Sequence, residues 1–78
     1  MRNGDRIMIN RLNRDKIREL MNSRYMGNYN KFSRDLGVDP AHLYRFLNTG
    51  VGGGKKIIFS LIDYCERNKL DYKKYIEL

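Results

Sequence analysis

Ala41, Tyr44, Arg45 and Asn48 recur at intervals that place them on one arc of a helix. Leu43, Phe46 and Leu47 fall on the opposite arc, with His42 at the flank. Packing demands the apolar arc. It does not demand a small residue, an aromatic, an arginine and an amide on the other. Those types suit a base-pair edge: Arg forms bidentate hydrogen bonds to guanine, Asn to adenine, and Ala offers a methyl to thymine. A small residue at Ala41, near the helix start, also lets the backbone approach a groove floor. The competing reading is an ordinary solvated helix face with an incidental arginine.

A second candidate follows at once, Asn48-Thr49-Gly50-Val51-Gly52-Gly53-Gly54-Lys55-Lys56, where four of the seven glycines are crowded together. A nucleotide-binding P-loop needs an earlier glycine, a hydroxyl after the lysine and a strand leading in. Thr49 stands where that glycine should be, Lys56 where the hydroxyl should be, and the preceding segment reads as a helix. The nucleotide reading fails on all three counts. Two readings remain open. The loop can lie along a nucleic-acid backbone, with its N–H groups and Lys55 and Lys56 at a helix start gripping phosphate. Alternatively, it is a connector whose glycines permit a reversal of direction.

Other reactive types are sparse. His42 is the only histidine, and no Cys, Asp or Glu stands at ligand spacing, so no metal is expected. Cys65 lies on an apolar helix face and reads as packing. No Ser-His-acid or paired-carboxylate arrangement is visible, so neither an enzyme, a cofactor nor a small-molecule substrate is expected. Arg2, Arg6 and Arg11 could reach a minor groove as a basic arm, or simply belong to a frayed terminus.

These residues must be positioned by short helices. Residues 1–12 show no helical period and read as a flexible or extended arm, leaving 13–78 as one domain. Asn13 is a plausible cap for a first helix of about Arg14 to Arg24, with Ile17, Leu20 and Met21 inward. Met26-Gly27-Asn28 breaks it. Tyr29, Phe32, Ser33 and Leu36 form one side of a second helix ended by Gly37. Asp39 caps a third, and Pro40 occupies its first turn, where a missing N–H costs nothing. Lys55 or Lys56 opens a fourth, to about Asn68, with Ile57, Ile58, Leu61, Ile62 and Cys65 on one face and Tyr64 at its margin. Asp71 caps a last short turn. The expected architecture is an all-α compact bundle of about five short helices with a central helix-turn-helix.

The chain has 78 residues and a formal net charge of +7. So short a chain buries only about 60 % of its unfolded surface, which leaves little room for an enclosed substrate pocket. The positive excess lies in residues 1–56, while 57–78 balance four positive against four negative charges. A one-sided basic balance suits a polyanionic partner such as nucleic acid, and charge kept for solubility explains it as well; the helix arc above makes that partner double-stranded DNA. A single cysteine fits a reducing, cytoplasmic setting. No apolar run is long enough to span a membrane and no signal peptide is visible. The apolar, neutral C-terminal segment could join two copies through Phe59, Tyr64, Tyr72, Tyr75, Ile76 and Leu78. The favoured reading is that it folds back to finish a thin core.

The stretch "NKFSRDLGVDPAHLYRFLNTG" resembles the helix-turn-helix of phage-repressor-like regulators, the group of lambda repressor and Cro. Ser33 matches the small position of the first motif helix, Leu36-Gly37-Val38 the turn, Leu43 and Phe46 the apolar positions of the recognition helix, and Asn48-Thr49-Gly50 its exit. The likeness covers Tyr29 to Gly50 well and the first helix loosely. It implies that Asp39, Pro40, Ala41, Tyr44 and Arg45 face the major groove, and that Tyr29, Asn30 and Lys31 touch phosphate. His42 and Thr49 complete the phosphate candidates. Tyr29-Asn30 stands where that family often has a glutamine, and Pro40 lacks a donor, which bears on the bound sequence more than on docking. The expected function is sequence-specific DNA binding by a small bacterial or phage-type transcriptional regulator. The rival is a protein-interaction module of the same fold, such as an antirepressor or assembly adaptor.

Overall fold

The computed structural model describes residues 12–77. Four α-helices occupy them: α1 (Arg14–Tyr25), α2 (Tyr29–Leu36), α3 (Pro40–Thr49) and α4 (Lys55–Arg67). A single 3-10 turn, Tyr72–Lys74, stands where a fifth short helix was expected. The described residues are thus all-α, with four helices rather than five.

Local chemistry sets the boundaries. The Asn13 side chain accepts from the Lys16 N–H, Asn28 from Lys31, Asp39 from Ala41 and Asp71 from Lys73, each satisfying a donor that a helix start leaves free. Only α4 starts without a side-chain cap, behind Gly54. Met26 ends α1 in the left-handed conformation. Gly37 does the same for α2, with φ of 86°. The N–H groups of Gly37 and Val38 both return to the Ser33 carbonyl, and Val38 is buried, which closes the bend from α2 to α3 tightly.

The helices pack around one core. Ile17, Leu20 and Met21 enter it from α1, Phe32 and Leu36 from α2, Leu43, Phe46 and Leu47 from α3, and Ile57, Leu61, Tyr64 and Cys65 from α4. Each such burial is worth about 1.5–3 kcal/mol, so the inward stripes fix the helix orientations. Ser33 is fully buried between them, its hydroxyl donating to the Asn30 carbonyl. Ile58 and Ile62 are only half-buried. No helix among the described residues is long and apolar enough to cross a membrane.

Two sequence expectations change, for Tyr64 and Leu12, while the C-terminal segment takes the fold-back reading. Tyr64 is fully buried rather than marginal. Ile76 is also buried, and Tyr72 and Tyr75 pack partly against the core, so the segment folds back and the surface suggested for pairing keeps Phe59 as its one clearly exposed member among the described residues. Leu12, placed in the arm, is buried instead: it bridges to Ile76, and the Asn13 N–H donates to the Tyr75 carbonyl at 2.9 Å. The rest of the arm, with Arg2, Arg6 and Arg11, and also Leu78, lies outside the described residues.

Candidate nucleic-acid interface

Helix α3 is held from behind by Leu43, Phe46 and Leu47, each at most 2 % exposed. The intervening positions Ala41, Tyr44, Arg45, Asn48 and Thr49 are exposed, and Tyr44 is 58 % exposed. The four residues read from the sequence as one arc therefore do share a surface. Among the described residues, neither α4 nor the segment after it covers Tyr44 or Arg45.

At the start of α3, Asp39 Oδ1 accepts from the Ala41 N–H at 2.8 Å, so its first role is the cap. Pro40 follows, exposed. In mid-helix, the Tyr44 ring lies 5.1 Å from that of Tyr29, the first residue of α2. Asn48 Nδ2 donates to the Tyr29 hydroxyl at 3.2 Å and to the Tyr44 carbonyl at 2.8 Å. Tyr29, expected at phosphate, thus joins the α3 cluster. Its neighbours Asn30 and Lys31 remain exposed at the start of α2. Thr49 Oγ1 donates to the Arg45 carbonyl and accepts from the Val51 N–H, so its hydroxyl shapes the helix exit.

The glycine run is anchored at its middle, where Gly53 is buried while Gly52 and Gly54 are exposed. Gly50 ends α3 with φ of 83°. Gly52, with φ of 89°, offers its carbonyl to His42 Nε2 at 2.8 Å. A Cβ on Gly53 would stand 2.6 Å from Phe46 Cε1, so only glycine lets the backbone pass over that ring. Lys55 and Lys56 follow, both exposed in the first turn of α4. His42 is thereby a tether for the loop.

Two arginines were visible in the sequence only as charge. Arg14 and Arg18, on α1, both donate to the Leu47 carbonyl near the end of α3. Cations there suit the negative end of the helix dipole and satisfy an otherwise free carbonyl. Among the described residues the ion pairs are Lys16–Glu19 and Arg67–Asp63, and neither involves Lys31, Arg45, Lys55 or Lys56. Those four cations stand on the exposed surface of α2, α3 and α4.

Behind the site, the Tyr25 hydroxyl donates to Asp35 Oδ2 at 2.7 Å and lies 2.9 Å from the Tyr64 hydroxyl, to which Arg24 donates. Because the Tyr25 proton goes to Asp35, Tyr64 is the donor to Tyr25. The relay runs from Arg24 through Tyr64 and Tyr25 to Asp35, tying α1, α2 and α4. Burial, then the bonds to Tyr64 and Asp35, push the Tyr25 hydroxyl well above the usual tyrosine range.

Among the described residues no three His, Cys, Asp or Glu side chains gather around a metal-sized space. No protein-family model, curated protein or solved structure matches the chain.

Proposed function

We propose that the protein binds double-stranded DNA sequence-specifically, with α3 lying in the major groove, as a small bacterial or phage-type transcriptional regulator. In this reading α2, the bend at Gly37–Asp39 and α3 form a helix-turn-helix, in keeping with the sequence resemblance to phage-repressor-like regulators. The observation that carries it is the outer arc of α3: Tyr44 and Arg45 stand exposed over Leu43, Phe46 and Leu47, in a chain of net charge +7.

Phosphate contacts supply most of the affinity and base contacts the specificity. Lys31 at the start of α2 and Lys55 and Lys56 at the start of α4 flank α3 and suit the backbone on either side. Arg45 suits the O6 and N7 edge of guanine, and the Ala41 methyl suits thymine. Helix α4 begins with backbone donors that no side chain caps, beside two lysines, an arrangement that favours an anion.

Titration of a labelled duplex at rising salt tests the class of partner. Three phosphate contacts predict a log–log slope of about −3, hence ~40-fold weaker binding between 50 and 200 mM salt. Salt-insensitive association with a protein, and none with DNA, would replace this reading by the adaptor one.

A further inference from the structure

Resting on that reading, the geometry around Asn48 defines what it can recognise. An Asn reads adenine by a bidentate pair, using one N–H on N7 and its carbonyl on the N6 amino group. Here the amide nitrogen already donates twice, to the Tyr44 carbonyl at 2.8 Å and the Tyr29 hydroxyl at 3.2 Å. A backbone carbonyl only accepts, so the nitrogen must be the atom facing Tyr44. Both N–H groups are thereby spent inside the protein. The amide oxygen Oδ1 alone is left for a partner, and Asn48 is exposed.

We propose that Asn48 is an acceptor-only specificity residue, held in that state by Tyr29 as a positioning residue. Its Oδ1 accepts from a base-edge amino group in the major groove, which adenine offers at N6 and cytosine at N4. Guanine and thymine present carbonyl oxygens at the corresponding place and are rejected. The column of the recognised sequence read by Asn48 therefore admits A or C on one strand, where an unconstrained Asn would select A alone. The Tyr29 ring, its centroid 5.1 Å from that of Tyr44 and tilted 57° to it, keeps the hydroxyl in place. Its own proton remains free to donate outward.

The test is selection of bound duplexes from a random pool by wild-type protein, Asn48→Ala and Tyr29→Phe. The wild type should show one column shared by A and C. Asn48→Ala should flatten that column and leave the others. Tyr29→Phe removes one oxygen, returns an N–H to Asn48 and should narrow the same column toward A, by about fivefold or more over C, the discrimination of a bidentate pair. Purely structural loss would weaken every column together and narrow none. A wild-type column of A alone, or one unmoved by Asn48→Ala, overturns the proposal while leaving DNA binding intact. A wild-type pool with no enriched sequence overturns both.

Discussion

His42 Nε2 lies 2.8 Å from the carbonyl oxygen of Gly52, so the flank of α3 holds the loop that follows it. That one bond links the proposed reading helix to the first turn of α4, where Lys55 and Lys56 stand. His42→Ala should cost about 1 kcal/mol and speed amide exchange across Val51 to Gly54. It should also weaken all duplexes alike, since loop and lysines would no longer be held in register with α3. Unchanged exchange in the loop would show that the glycines order themselves without His42.

Adjacent glycines should respond unequally. Gly53→Ala places a Cβ 2.6 Å from Phe46 Cε1 and 3.2 Å from Leu12 Cδ1, and should destabilise by about 1–3 kcal/mol through overpacking. Gly54→Ala meets nothing within 4 Å, and its only cost is the preference for Gly over Ala at the N-cap of α4, so it should destabilise by less than about 1 kcal/mol. Thermal melts of the pair measure the difference. Equal effects would mean that the loop does not pass over Phe46 as described.

Alkaline pH should unfold the protein through its tyrosines. Tyr25 is raised by burial and by its bonds to Tyr64 and Asp35, and Tyr75 mainly by burial. A raised folded value means that the neutral hydroxyl is favoured in the fold. Its contribution is complete below the unfolded value of about 10 and is lost as pH rises above it. Stability measured by denaturant should be flat toward pH 9 and fall beyond about pH 10. Tyr25→Phe should lower stability at neutral pH, because Tyr64 loses its acceptor, and make the alkaline fall shallower.

Arg18 should matter more to folding than its place in the charge count suggests. With Arg14 it donates to the Leu47 carbonyl. Arg18→Ala should cost about 1.5–3 kcal/mol, the range for hydrogen bonds to charged groups. Arg18→Lys should recover part of the charge effect without the second fork of donors. A melting temperature unchanged by Arg18→Ala would remove this role.

What the sequence discloses follows the range of the interactions. Asn13, Gly37 and Asp39 act on neighbours within four residues, so the start of α1 and the bend between α2 and α3 could be read from local pattern. Leu43, Phe46 and Leu47 announce their buried face by spacing alone. Tyr64 could not be placed, because its burial depends on Arg24 and Tyr25, about forty residues away. The same holds for Arg14 and Arg18 on Leu47, and for Asn48 on Tyr29. The glycine run is instructive: its composition demanded an unusual backbone, but the reasons, His42 above Gly52 and Phe46 beneath Gly53, are tertiary.

The central claim is that the outer arc of α3 reads base pairs. Sequence selection with wild-type protein and Arg45→Ala, at one fixed salt concentration, addresses it most directly. The account predicts an enriched wild-type motif containing a guanine whose column alone relaxes in Arg45→Ala, with about 1–3 kcal/mol lost on the selected duplex. A motif identical for both proteins, or none for either, would contradict it.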